Sequence, residues 1–254
     1  MAGEAKTSAF MLGTATVMLG AQSDLFDLNP EDHSIGLVKN FRVTAEPSYT
    51  DLSQGVRNQI VYSVMTQNIV RAAMEAYEYT ASNLAYALGL EGSNFAAQTV
   101  TTTLTAAAIA TDVALTVDDE TGFAVGNWVL IQDGADDQVY TRKLTAVAAT
   151  TLTFAEPLPK PLAIGATVRK ASMIDVGTKA EQPFLSAKVI GTIADGTEVA
   201  LLCPKIRITN GFSVGFTTEN FDNLPFEFSF YDLLASDPFF ASMGNSQAKL
   251  LTTK

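Results

Sequence analysis

One cysteine, one histidine and one tryptophan occur in 254 residues, and each scarcity removes a class of chemistry. Cys203 alone cannot form an intrachain disulfide, and the chain lacks the Cys/His complement of a zinc site. Its apolar neighbours, Leu201, Leu202 and Pro204, assign it the role of a small buried hydrophobe. His33 is the only histidine, so any Ser-His-Asp triad has to use it. It sits beside Asp32 and Ser34 in an acidic loop, the ordinary setting of a solvated side chain. No GxxxxGK[ST], no GxGxxG after a strand and no HExxH is present. Asp118-Asp119-Glu120 and Asp133 with Asp136-Asp137 offer oxygens for calcium, but neither matches an EF-hand loop. They read as turn carboxylates. Two carboxylates in a cleft suffice for glycoside hydrolysis, which sequence alone does not exclude, and the lone Trp128 weighs against a sugar platform. No catalytic, cofactor-binding or metal-ligating residue is therefore expected, and the protein is not expected to be an enzyme.

Long apolar runs are also missing. No stretch reaches the roughly 20 residues that a membrane-spanning helix needs. Ala9–Gly20 has the bulk of a signal-peptide core, but Gly13, Thr14 and Thr16 interrupt it and no small-x-small cleavage site follows. The expectation is a soluble protein made in the cytoplasm. Charge is sparse too. Charged residues make up 17%, with 16 basic against 27 acidic and a net charge of −11. Without a basic run to displace phosphate counterions, tight nucleic-acid binding is not expected. A surface this poor in charge points to extensive protein–protein contact.

What is present is β-patterned. Apolar residues make up 47%, and a chain of this length buries roughly 70–75% of its unfolded surface without a staple. The central stretch is Arg71–Gly89, a strand leading straight into one short helix. Thr80 or Ser82 serves as N-cap, Leu84, Ala85 and Leu88 recur at helical spacing, and Gly89 stands where a left-handed C-cap falls. Ahead of it, strands are expected over Ala9–Leu19, Ile35–Glu46, Val56–Thr66 and Ile69–Tyr79. Loops are expected over Ala21–Ser34 and Pro47–Gly55, with a tight turn at Gln67–Asn68.

After the helix, a Thr/Ala tract opens a different style. Short strands are expected at Ala114–Val117, Trp128–Asp133, Gln138–Ala146, Thr151–Phe154 and Thr167–Arg169, forming a small all-β module over 99–172. The first style then resumes with Pro183–Ile193, an Asp195-Gly196 hairpin, Glu198–Ile208, Phe212–Thr218 and Leu224–Tyr231. Phe226, Phe228 and Phe230 share one face of the last strand and Glu227 the other. Phe239–Lys254 reads as a flexible tail unless a partner orders it. Residues 1–98 and 173–254 are thus expected to form one β domain that 99–172 interrupts.

Three places resemble the major tail proteins, or tail tube proteins, of long-tailed bacteriophages. They are Glu75–Leu90 (EAYEYTASNLAYALGL), the opening GTATVMLG followed by GLVKNFRVTAE, and Leu224–Ala241 (LPFEFSFYDLLASDPFFA). The resemblance covers roughly 1–95 and 180–245, and it rests on the order of these motifs. It implies a mainly β subunit, a β-sandwich or half-barrel with one flanking α-helix. Six such subunits close a ring, and rings stack into a tube through which the genome leaves. The module 99–172 resembles the extra domains that some of these proteins carry on the tube exterior. The implied partners are further copies of the chain and the tape-measure, tail-terminator and tail-tip proteins. DNA passes without specific binding, the chain inserts in no membrane, and the place is the virion tail, assembled in the host cytoplasm. A non-contractile tail is favoured over a sheathed one.

Under this resemblance a carboxylate-lined bore repels the phosphate backbone. Glu75 and Glu227 are the candidates to line it, because each lies on the polar side of an alternating strand; an outer face or a subunit seam is the equal alternative. Leu25, Phe26, Leu28 and Tyr49, apolar residues in polar loops, are candidates for ring-to-ring contact, or else fold back onto the core. A different reading of the whole is a β module that binds carbohydrate or host envelope through 99–172.

Overall fold

The computed structural model describes residues 13–55, 58–95, 97–134, 139–177, 181–193, 196–215 and 222–253. The fold is mainly β, with a curled half-barrel sheet and few helices. Two compact units divide the chain, one of 1–94 with 176–254 and the other of 95–175. The first opens with β1 (Gly13–Ala21), α1 (Pro30–His33), β2 (Val38–Gln54), β3 (Gln59–Ala76) and α2 (Ala81–Ala87). The second holds β4 (Thr101–Thr103), β5 (Ala114–Thr116), β6 (Trp128–Gln132), β7 (Val139–Ala148), β8 (Thr151–Phe154) and β9 (Thr167–Ala171). The first resumes with β10 (Leu185–Ile193), β11 (Glu198–Asn210), β12 (Leu224–Phe230), α3 (Phe240–Met243) and β13 (Lys249–Thr252).

In the first unit the strands run β1-β10-β11-β12-β3-β2, antiparallel throughout, with β13 added alongside β11. Period-2 alternation decides which side chains go inside. On β12, Leu224, Phe226, Phe228 and Phe230 are buried while Glu227 is exposed. On β3, Ala72, Met74 and Ala76 face the same core. Alternation fails on β11, where Leu202 through Ile206 are all buried. There the strand is covered on both faces, the situation that produces continuous apolar runs. Cys203 and Ile206 enter the main core, and Leu202 packs with Leu25, Leu233 and Met243 on the other side. Burial pushes the Cys203 thiol far up, which keeps it an inert hydrophobe.

Helix α2 lies against the main core through Tyr86 and Ala87. Thr80 is its N-cap, its hydroxyl accepting the Asn83 N–H at 3.1 Å. At the other end the Gly89 N–H donates to Tyr86 O and the Leu90 N–H to Ala85 O. These two bonds form a Schellman closure around Gly89, whose φ of +75° only glycine adopts without strain. Asn83, buried, donates to the carbonyls of Ile35 and Glu78. The Tyr86 hydroxyl donates to Leu19 O, and its burial raises its pKa to about 12.

Four expectations are corrected. Of the expected loop Pro47–Gly55, Pro47–Gln54 is the outer half of β2, and Gln67–Asn68 is not a turn but lies inside β3. Pro47 misleads because β2 is an edge strand, where a missing N–H breaks no ladder bond. The reversal falls instead at Gly55 (φ +88°), with the Asn58 N–H donating to Gly55 O at 3.0 Å. Phe212–Gly215 is not strand, and 216–218 lie outside the described residues, as do 9–12 of the first expected strand. The segment after Phe239 is ordered within the chain: α3 buries Met243, and β13 pairs residues 249–252 with Val199–Leu202.

The second unit runs β4-β9-β6-β7-β8-β5. The two end strands meet, through the Leu104–Val117 bridge and bonds from Thr105 N to Thr116 O and Asp118 N to Thr103 O. The sheet therefore closes as a small barrel. Its interior holds Leu115, Val129, Ile131, Leu152, Phe154 and Val168 among others.

Candidate assembly interface

β2 and β3 continue past the sheet as a two-stranded arm. Core contact ends near Val70; every described residue from 42 to 55 and from 58 to 68 is exposed. From Thr44 to Gln54 the arm extends about 33 Å at strand rise. Cross-strand partners share a face. Leu52 lies opposite Tyr62 and Thr50 opposite Val64 on one side; Tyr49 lies opposite Met65 and Asp51 opposite Ser63 on the other. Ser63 donates its hydroxyl to Asp51. Both faces thus carry large apolar side chains in water, Tyr62 being 64% exposed and Leu52 62%. Register shifts at Ser48/Tyr49 and Leu52/Ser53 break the ladder twice, adding twist. A two-stranded ribbon with nothing packed on it is marginal in water.

The sheet at the base of the arm has an open polar face. β12 pairs Pro225 with Glu75 and Glu227 with Ala73, and β2 pairs Lys39 with Glu75 and Arg42 with Ala73. Glu75 accepts hydrogen bonds from Asn40 Nδ2 and the Tyr77 hydroxyl, both at 2.9 Å. Those bonds, Asn40 first, and then the Lys39 charge hold its carboxyl below the usual range. Lys39 Nζ also lies 4.8 Å over the Tyr77 ring. A shallow concavity brings Asn40, Arg42, Glu75 and Glu227 together.

The structure therefore places Glu75 and Glu227 on one face of adjacent strands. It also places Lys39, Arg42 and Arg71 there, since Arg71 stands opposite Ser229 and Thr44. The face is mixed in sign, and the negative charge of the chain is not concentrated on it. Of the four apolar candidates, Leu25 and Leu28 are buried and offer no contact surface. They fold back because the loop is shaped by a 3₁₀ turn at Gln22–Asp24 and by α1, whose N-cap Asn29 accepts the Asp32 N–H. Phe26 is half exposed and packs edge-on against Phe239 at 4.8 Å. Tyr49 is exposed on the arm. Sequence reasoning missed Leu52, Val61 and Met65. The signal was Ile60–Met65, IVYSVM, a run without a polar face.

Other acidic clusters serve their own loops. The Thr121 hydroxyl first, and then the Thr121 N–H that the Asp119 carboxylate accepts, lower the Asp119 pKa; Glu120 accepts the Thr150 N–H and Asp133 the Ala163 N–H. Asp136 and Asp137 lie outside the described residues. Among the described residues no group of three or more His, Cys, Asp or Glu side chains is placed to hold a metal ion. Comparison with known protein families and with curated proteins finds no match to this chain.

Proposed function

We propose that this protein is the repeating subunit of a self-assembling tube, the tail tube of a long-tailed bacteriophage, built from stacked hexameric rings. The observation that carries this reading is the arm, whose two apolar faces are left in water. In a stacked assembly the arm of one copy packs against the next, which removes both faces from solvent and offsets the marginal stability of a two-stranded ribbon. The two terminal strands of the sheet, β1 and β2, provide edges through which neighbours in a ring pair, so closure removes the edge liability. A head-to-tail contact that does not close polymerises, and stacked rings are that case. The Glu75–Glu227 face carries both signs, its two carboxylates sharing it with Lys39, Arg42 and Arg71, so DNA crossing it meets repulsion as well as attraction.

Electron microscopy of the purified full chain tests the proposal. Filaments of uniform bore are expected. Excising residues 47–68 and joining Glu46, which pairs with Ile69, through an Asn-Gly turn leaves a folded subunit that forms no tubes. Tubes of normal length from that variant, or monodisperse monomers from the intact chain at all concentrations, overturn the reading.

A further inference from the structure

We infer that the outer face of the small barrel is a binding surface for an acidic polysaccharide, with Trp128, Lys143 and Arg169 as its contact residues. β6 is the centre of this face, paired with β7 on one side and β9 on the other. Val129 and Ile131 point into the barrel, so Trp128 and Leu130 point out. Register then sets their neighbours. Trp128 stands between Lys143 and Ala171; Leu130 stands between Thr141 and Arg169, with Thr101 beyond Arg169 on β4. Trp128 is 37% exposed and Leu130 38%. Neither Lys143 nor Arg169 is in a salt bridge among the described residues. On this barrel face the indole thus has Lys143 directly beside it on β7 and Arg169 diagonally across on β9, with Leu130 between the cations, Thr141 next to Lys143 along β7 and Thr101 beyond Arg169.

Each component matches one part of an acidic sugar. The C–H groups on a pyranose face carry partial positive charge and lie against the negative face of the indole. A carboxylate or sulfate on the sugar meets the ammonium of Lys143 or the forked guanidinium of Arg169 in charge-assisted bonds. Thr101 and Thr141 each donate or accept, as sugar hydroxyls require. With a single tryptophan the sequence weighed against a sugar platform, because a lone ring grips a neutral sugar weakly. The two cations supply what the ring lacks. Single-stranded nucleic acid shares the stacking but needs a groove of cations along its backbone; two cations around one ring do not make one. The inference is independent of the tube reading, since it rests on residues of the second unit alone.

Trp128 is the only tryptophan in the chain, so its fluorescence reports this face without a label. The full-length protein is titrated with an oligosaccharide of uronic acid, a neutral glucan of the same length and an oligothymidylate. Saturable change in Trp128 emission is expected with the uronate, at least tenfold weaker with the glucan, and lost on Lys143→Gln/Arg169→Gln, a surface pair that leaves the thermal midpoint unchanged. Trp128→Phe keeps a ring and weakens uronate binding several-fold, measured by co-sedimentation. No response to uronate, an equal response to glucan, a stronger response to oligothymidylate, or full binding by the Lys143/Arg169 variant overturns the inference. Tube formation is scored on the same samples by electron microscopy, so failure of one idea is read apart from failure of the other.

Discussion

Tyr62 lies directly opposite Leu52 on one face of the arm, and both are exposed over more than three-fifths of their surface. A pair of this kind contributes little to the fold of the isolated chain, because nothing packs on it. Replacing both by Asn is therefore expected to change the unfolding free energy by less than about 0.5 kcal/mol, the usual range for exposed sites. Assembly is expected to fail, since the apolar area that drives it is removed at about 25 cal/mol per Å². Denaturant unfolding and sedimentation velocity, run on the same variant, separate the two effects. A variant that still forms tubes assigns the driving force elsewhere.

Asn83 makes a sharper demand on stability. It is 3% exposed, and its Nδ2 donates to both Ile35 O and Glu78 O. These bonds tie α2 to the chain entering β2 and leaving β3. Asn83→Ala strands two carbonyls and is expected to cost about 1–3 kcal/mol, read as a lower urea midpoint. Asn83→Asp replaces the donors by a carboxyl whose ionised form faces carbonyl oxygens, so its folded-state pKa rises. A raised folded-state pKa means the native state binds the extra proton. That variant therefore loses stability as pH rises from about 4 to 7, whereas Asn83→Ala does not.

Local chemistry made part of this fold legible in the sequence. The helix cap, the Gly89 closure and the alternation of Phe226, Phe228 and Phe230 each announce themselves within a few residues; the structure places the latter two as expected and decides for Thr80 over Ser82 as the cap. The barrel strands are similar: Thr151–Phe154 has the expected bounds, and Trp128–Gln132 ends one residue short of them. The arm was not legible, because Pro47 and the polar run to Gly55 carry the composition of a loop. Only pairing with Ile60–Met65, a tertiary fact, makes them strand. Leu25 and Leu28 look like exposed loop residues until the segment after Tyr231 folds over β11 and buries Leu25 beside Leu233. Exposure of a loop side chain depends on what returns from far along the chain.

The polar face offers a test of the bore. Lys39, Arg42 and Arg71 share it with Glu75 and Glu227. Glu75→Gln/Glu227→Gln removes both of those carboxylates and leaves these three cations uncompensated by them. If this face lines the tube, assembled variant tubes are expected to retain DNA at low salt and release it as salt rises, the mark of counterion release. Wild-type tubes are expected to retain none. Filter binding across a salt series checks both. Equal DNA retention by variant and wild type places these residues on a surface the DNA does not meet.

Lys205 and Asp237 fix the last stretch of the chain, and acid is expected to release it. Lys205 is almost wholly buried on β11, and its Nζ donates to Asp237 Oδ2 at 2.6 Å. The Leu234 N–H donates to the same oxygen at 2.8 Å. The Lys205 bond first, then the Leu234 bond, hold the Asp237 carboxyl below its ordinary pKa. In the window between the depressed folded value and the unfolded value near 3.9, the unfolded chain binds more protons than the folded one. Stability from this pair is therefore complete above about pH 4 and declines as pH falls through the folded value. Breaking it at neutral pH leaves an ammonium buried against Phe184, whose ring lies 4.5 Å from Nζ. Asp237→Asn is expected to cost about 1.5–3 kcal/mol at pH 7, the range for a bond to a charged group, and to flatten the acid dependence. Lys205→Met with Asp237→Asn is expected to recover much of the loss, because no buried charge then lacks its partner. Limited proteolysis of the segment from Leu234 onward, followed from pH 7 to pH 3, reads the release directly. Cleavage in the wild type that does not increase on acidification shows that the pair does not control the segment.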